Sequence, residues 1–111
     1  MIVNGKQVET DNEGFLLNPE DWDRDVAAKL ADTIDVKMTD DHWQIVMLVR
    51  EHYETNHSVP EARILLKDLS ERIGKEKATR KYLYSLFPYG YGQQACKIAG
   101  MRKPLKLMLD V

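Results

Sequence analysis

The segment from residue 40 to residue 56 constrains the fold most, because its apolar residues lie on nearly every face of a helix. These residues are Trp43, Ile45, Val46, Met47, Leu48, Val49 and Tyr53. A helix that is apolar almost all round has to be buried by neighbouring elements. Thr39 can cap this helix, and Asp40 and Asp41 stand in its first turn, where the helix dipole favours acidic residues. The pattern predicts a central buried helix over 40–56.

One helix is predicted before this segment in the sequence, and another is predicted after it. Asn18 or Pro19 opens the first helix. The third begins after Ser58 and Glu61, which have capping-box spacing, and it ends at Gly74. Both helices carry an apolar stripe at helical spacing. Its members are Trp22, Val26, Ala27, Leu30 and Ala31 in the first helix and Ala62, Leu65, Leu66, Leu69 and Ile73 in the third.

The last two predicted helices are short, and proline and glycine bound them. The fourth covers about 77–87, where Pro88 and Gly90 stop it. The fifth runs over about 92–99, and Gly100 caps it. Proline cannot continue a helix, and glycine tolerates the positive φ angle found at many helix ends.

The N-terminal residues carry the signature of a β-hairpin. Ile2-Val3 and Lys6-Gln7-Val8 flank Asn4-Gly5, the pair that supplies the positive φ angles of a two-residue type I′ turn. So small a ribbon is not stable alone and must lie on an apolar surface. We therefore expect the hairpin to pack on the helices.

The predicted fold is mainly α, a small bundle of about five helices with a helix-turn-helix-like core and an N-terminal β-hairpin. The length of 111 residues fits one domain over 1–111, and 43% hydrophobic residues exclude a wholly disordered chain. Within it we expect the hairpin over 1–17, the bundle over 18–100 and a C-terminal tail over 101–111.

Localisation follows from what the sequence does not contain. No apolar run reaches the roughly 18–20 residues that a membrane span needs. The first residues lack the basic and apolar regions of a signal peptide. We expect a cytoplasmic protein with no membrane partner.

Charge is unevenly distributed, although the net charge is −2. Residues 1–60 hold 13 acidic and 5 basic residues, whereas residues 61–111 hold 5 acidic and 11 basic ones. A basic half suggests an anionic partner, such as nucleic acid or an acidic protein surface. The alternative is that the two halves pack together and offset one another.

The join between the second and third helices, Tyr53 to Pro60, is short, as in helix-turn-helix proteins. This corner makes DNA a candidate partner, although many small bundles contain such a corner without touching DNA. The candidate binding residues around the third and fourth helices are Arg63, Lys67, Lys75, Lys77, Arg80 and Lys81. They would engage an acidic protein surface or phosphates, and a merely solvated face is the alternative.

Two blocks of unusual composition stand near the C-terminus, YLYSLFPYG over 82–90 and QACKIAG over 94–100, followed by Lys103-Pro104. They resemble the DsrC/TusE family, which includes the gamma subunit of dissimilatory sulfite reductase. Further resembling residues are Asn4-Gly5-Lys6, Glu13-Gly14-Phe15-Leu16, Asp21-Trp22, His42-Trp43, Arg50, Tyr53, Pro60, Arg63, Lys67 and Gly74-Lys75-Glu76-Lys77. The resemblance implies a helical bundle with a helix-turn-helix-like core and an N-terminal hairpin.

The resemblance also implies sulfur chemistry on cysteine. Sulfur-carrying members of this family use a penultimate cysteine, and dissimilatory members have a second cysteine eleven positions upstream. Here Cys96 matches the upstream cysteine, but Leu107 stands eleven positions later and Asp110 is penultimate. The chain therefore resembles members that lack one or both cysteines and are thought to be regulatory.

Cys96 is the candidate sulfur-accepting thiol because it is the one cysteine in the chain. It must be a thiolate to attack a sulfane donor. Lys97, Arg102 and Lys103, which are further candidate binding residues, would favour that anion, whereas a nearby helix C-terminus would oppose it. The alternative is an inert cysteine buried in the core.

The tail ends in a run of apolar residues, Leu105, Leu107, Met108 and Leu109. Exposed apolar segments commonly bury themselves against a surface of their own chain or of a partner. We expect this run to dock on the bundle or to form a dimer contact, so a homodimer is a candidate assembly.

No further pattern points to enzyme chemistry. His52 and His57 lack the i, i+4 spacing of a zinc pair, and there is no glycine-rich phosphate loop. We expect no metal and no cofactor, and at most a sulfur carrier or sulfurtransferase component.

Two hypotheses for the function follow. The first is a sulfur-trafficking protein that acts through contacts with a sulfite reductase or a sulfurtransferase, with Cys96 as its one persulfide carrier. The second is a regulatory relative that binds DNA through its helix-turn-helix and transfers no sulfur.

Overall fold

The N-terminal residues form the predicted hairpin. The structure is a computed structural model that describes residues 1–102. Strand β1, Ile2–Val3, pairs antiparallel with strand β2, Lys6–Gln7, so that residue 2 faces residue 7 and residue 3 faces residue 6. Asn4 and Gly5 have φ angles of 53° and 78°. Both angles are positive, as the type I′ turn requires.

A second turn folds the chain back onto the hairpin. One carboxylate oxygen of Asp11 accepts hydrogen bonds from the backbone N–H groups of Glu13 and Phe15, both at 2.9 Å. The turn buries the side chains of Phe15 and Leu16 completely. Leu16 joins a small core cluster with Val3, Val8, Val26 and Leu30. The hairpin therefore rests on the first α-helix, as its size requires.

The first helix begins later than predicted. Asn18 caps only a short 3-10 turn, Pro19–Asp21, after which Trp22 is extended. Helix α1 is Arg24–Thr33, and the Asp23 side chain accepts a hydrogen bond at 2.8 Å from the N–H of Val26. Two cap residues stand close together here, and the second one starts the α-helix. The prediction that Asn18 or Pro19 opens this helix is therefore wrong by about one turn.

The central helix is confirmed. Helix α2 is Asp40–Asn56, and Thr39 and His42 form a capping box at its start. The Nε2 atom of His42 also lies 2.9 Å from the carbonyl oxygen of Leu86. The buried residues of α2 are Ile45, Val46, Leu48, Val49 and Arg50. Arg50 is the exception among them, because it places a charged group inside the core.

Helices α3 and α4 follow as Ala62–Ile73 and Arg80–Leu86. The predicted capping box at Ser58 does not form, because Glu61 is the N-cap of α3 and no side chain accepts a hydrogen bond there. Gly74 ends α3 as predicted, with a φ angle of 92°. Helix α4 starts three residues later than predicted, where the Thr79 hydroxyl accepts a hydrogen bond from the N–H of Tyr82.

The fifth helix is present, but its first part is a π-helix, Tyr91–Cys96. Gly100 ends it with a φ angle of 77°. The main core cluster joins this helix to α2, α3 and α4. The apolar run Leu105 to Leu109, predicted to dock or dimerise, lies outside the described residues. No helix within residues 1–102 is long and apolar enough to cross a membrane.

Candidate functional site: the helix end around Cys96

Cys96 is the last residue of the π-helix, and its side chain is fully buried, with 0% of its surface exposed. It belongs to the main core cluster, together with Ala95, Ile98, Ala99 and Met101, which are equally buried. The sulfur-accepting role considered for Cys96 requires a thiol that solvent can reach, and the thiol is not reachable in this structure. The alternative considered from the sequence, a cysteine in the core, describes its position.

The backbone closes on itself immediately after Cys96. The N–H of Gly100 donates to the carbonyl of Lys97 at 3.0 Å, and the N–H of Met101 donates to the carbonyl of Cys96 at 3.1 Å. These two bonds and the positive φ of Gly100 make a Schellman motif, which requires a residue that tolerates the left-handed region. The motif turns Met101 back into the core beside the cysteine.

Two side chains from distant parts of the chain hold the same helix end. The indole Nε1 of Trp22 donates to the carbonyl of Ile98 at 2.7 Å, and Nη1 of Arg50 donates to the carbonyl of Ala99 at 3.2 Å. Carbonyl groups in the last turn of a helix have no partner within the helix, so these donors satisfy them. The function argued from the sequence did not assign a role to either residue. Arg50 directly follows the apolar run of residues 45–49 in a helix expected to be buried, and this position of a charge is the signal that could have identified it.

Lys97 does not lie on a binding surface, which corrects its assignment as a candidate binding residue. It is only 8% exposed, and its Nζ donates to the carbonyl of Glu13 at 2.8 Å. The same ammonium group lies 4.7 Å from the centre of the Phe15 ring. A buried charge needs such partners. Lys97 therefore ties the last helix to the N-terminal turn.

The other predicted basic residues are exposed wherever the structure describes them. Arg63, Lys67, Lys75, Lys77, Arg80, Lys81 and Arg102 are exposed, and Lys103 lies outside the described residues. Arg63 forms an ion pair at 3.0 Å with Glu61, and both side chains are solvated. Arg63 and Lys67 are one turn apart on the outer face of α3. Exposure agrees equally with a partner-binding face and with the solvated alternative.

Other polar groups of residues 1–102 lie away from Cys96. A groove of about 240 Å³ between α2 and α3 is bridged by the ion pair of Arg72 with Glu51 at 2.8 Å. Within residues 1–102, no group of three or more His, Cys, Asp or Glu side chains could hold a metal ion. Tyr82 has a raised pKa, caused first by burial and then by the nearby Asp41 carboxylate.

Known proteins resemble this chain over nearly its whole length. It is 39% identical over 106 residues to the sulfurtransferase TusE of Photorhabdus laumondii, covering 96% of both chains. It is also 39% identical over 106 residues to the TusE of Escherichia coli K12, covering 96% of this chain and 97% of the other.

Solved structures give the same result. The DsrC of Allochromatium vinosum, determined by NMR, is 44% identical with a TM-score of 0.86, covering 96% of this chain and 95% of the other. The oxidised gamma-subunit of the dissimilatory sulfite reductase from Archaeoglobus fulgidus is 33% identical with a TM-score of 0.86, covering 95% and 96%. The family model described as DsrC like protein matches residues 2–108. The chain therefore belongs to the DsrC family.

Proposed function

We propose that this protein takes part in sulfur trafficking in the cytoplasm by binding protein partners, either a sulfurtransferase or a sulfite reductase. The observation that carries the proposal is the nearly complete coverage of relatives whose names state those roles. They are sulfurtransferases at 39% identity and a sulfite reductase gamma-subunit at 33% identity. The burial of Cys96 supports a role in binding protein partners, because a buried thiol does not react in this conformation.

Cys96 is the one side chain in the sequence that can carry a persulfide. Loading would need its thiolate to attack the outer sulfur of a donor persulfide. A new S–S bond would then form on Cys96, and the donor cysteine would leave as a thiolate. A fully buried thiol cannot meet a protein donor, so loading would require residues 97–101 to move first.

Two measurements test this proposal. The first is binding of the purified protein to a persulfide-loaded sulfurtransferase and to the sulfite reductase of its source cell, by isothermal titration calorimetry. We expect saturable binding to one of them, and no binding to either would overturn the proposal. The second is intact-protein mass spectrometry after incubation with the loaded donor. A gain of one sulfur atom, absent in Cys96→Ser, identifies Cys96 as a carrier, whereas binding without that gain restricts the role to contacts.

A regulatory role without sulfur transfer is the second candidate, and the burial of Cys96 favours it. In this case Arg63 and Lys67 on the exposed face of α3 contact DNA phosphates. The double variant Arg63→Glu, Lys67→Glu should then abolish duplex binding, and the binding of the unchanged protein should weaken steeply with salt. Lys29→Glu on α1 reverses a charge that is also exposed but lies outside the basic half, and it is the matched control. Equal retardation of all three proteins would exclude this role.

A further inference from the structure

Trp22 and Arg50 contact each other as well as the helix end after Cys96. The Arg50 guanidinium lies 4.8 Å from the centre of the Trp22 ring, and its Nη2 donates to the carbonyl of Pro19 at 2.6 Å. Trp22 follows the 3-10 turn and Arg50 lies on α2, so two separate elements meet here. Both side chains donate to carbonyl groups of the last helix, those of Ile98 and Ala99.

The Trp22 ring also rests directly on the backbone of residue 100. A Cβ atom built on Gly100 would lie 2.4 Å from Cδ1 of Trp22, well inside van der Waals contact. Because glycine has no Cβ atom, the Trp22 ring can lie against the backbone of residue 100. We use the word latch for Trp22, Arg50 and the backbone of residues 98–100 that they hold.

The latch acts on the residues that bury Cys96. Ile98, Ala99 and Met101 share the core cluster of Cys96 and are fully buried with it. Met101 also donates its N–H to the carbonyl of Cys96. If residues 98–101 leave their position, the thiol loses these neighbours and solvent can reach it.

Several contacts that hold the other elements do not depend on residues 98–101. The hairpin packs on α1 through a separate cluster, and the caps of α2 and α4 do not involve residues 98–101. The freed carbonyl groups of Ile98 and Ala99 gain water as hydrogen-bond donors, which offsets part of the loss.

From these contacts we propose that Trp22 and Arg50 form a latch that keeps the Cys96 thiol closed, and that its release exposes Cys96 while the remaining helices stay folded. The latch is a conformational device of the fold. It stands whether or not Cys96 carries sulfur, because it concerns only access to the thiol.

Native-state labelling of the thiol with Ellman's reagent tests the latch in the full chain. We expect labelling of the unchanged protein to be far slower than that of an exposed thiol. Its rate should also depend much less on urea than global unfolding followed by circular dichroism does. Trp22→Phe removes the indole donor to Ile98 and should raise the labelling rate by about 2- to 10-fold without urea, the range expected for one neutral hydrogen bond.

Tyr91→Phe is the matched control, because it also removes an aromatic donor from a backbone carbonyl. The Tyr91 hydroxyl donates to the carbonyl of Pro60 at 2.7 Å, and it precedes Cys96 in the same helix. This variant should lower global stability and leave labelling without urea unchanged. Equal acceleration by both variants would overturn the latch.

If Trp22→Phe does not fold, labelling of the unchanged protein still tests the latch. Labelling that has the full urea dependence of global unfolding would mean that the thiol opens only when the whole domain unfolds. Labelling at the rate of an unprotected thiol would mean that no contact protects the Cys96 thiol from the reagent. Either result contradicts the latch, and slow labelling with a weak urea dependence supports it.

Discussion

Replacing Gly100 by alanine should destabilise the protein by about 2–5 kcal/mol, for two separate reasons. The φ angle of +77° lies in the left-handed region, which costs a residue with a Cβ atom roughly 1–2 kcal/mol. The new Cβ would also lie 2.4, 2.8 and 2.9 Å from Cδ1, Cγ and Cβ of Trp22. The last of these atoms is at the base of the side chain, so the ring cannot simply swing aside. Overpacking of this kind costs about 1–3 kcal/mol.

Gly5→Ala is a control at a residue with almost the same φ angle. Its φ angle is +78°, and no atom lies within 4 Å of the position that a Cβ would take. This variant should lose only the roughly 1–2 kcal/mol of the left-handed conformation. The difference between the two variants therefore isolates the contact with Trp22.

Urea unfolding followed by far-ultraviolet circular dichroism measures both variants against the unchanged protein. With the usual urea dependence for small domains, the extra loss at position 100 corresponds to a gap between the midpoints of the two variants on the order of 1 M. Coincident midpoints would show that Trp22 accommodates a methyl group without loss, and the close packing inferred at residue 100 would then be wrong.

Two further predictions concern the N-cap of α2 and the ionisation of Tyr82 at alkaline pH. Thr39→Ala should lower the free energy of unfolding by about 0.5–2 kcal/mol because it removes the cap of α2, whereas Ser58→Ala should not change it; equal losses in urea unfolding would contradict this. Tyr82 should ionise above its ordinary pKa of 10.0, and Asp41→Asn should lower this pKa in an ultraviolet titration. Because the folded-state pKa is raised, the stability contribution of Tyr82 is complete below pH 10 and is lost as the pH rises through the raised value; a Tyr82→Phe variant with the same alkaline loss would argue against it.

Elements with strong local signals were predictable from the sequence. Asn4-Gly5 fixes the hairpin because few residue pairs adopt two positive φ angles in succession. The start of helix 40–56 was predictable because its cap, its acidic first turn and its apolar faces all agree. Agreement of independent local preferences with one another and with the fold favours a single structure for a segment.

Helix starts were less predictable where several residues offered the same signal. Asn18 and Asp23 can both cap a helix, and the structure uses the first for a 3-10 turn and the second for α1. Ser58 has capping-box spacing with Glu61, yet the chain is not helical until Ala62. In each case the local capping signal alone does not rank the competing starts, because tertiary context overrides local preference.

The candidate site was the least predictable part, because its contacts join residues far apart in the sequence. Lys97 meets the carbonyl of Glu13 across 84 positions, and Trp22 meets that of Ile98 across 76. From the local sequence, a lysine beside a cysteine is expected to be an exposed charge that favours a thiolate. Lys97 is buried instead because the folded chain places the N-terminal turn against it.

The state of Cys96 follows from this dependence on distant residues. A cysteine aligned with that of a relative has the same chemistry only if its surroundings are also the same, because reactivity requires both a thiolate and access. In the proposed latch, access depends on Trp22 and Arg50, which contact the backbone rather than the thiol itself. Under that proposal, binding of a partner and reaction at Cys96 are separable. A partner that displaces residues 98–101 would couple them, whereas a partner that binds the exposed face of α3 would leave the thiol closed.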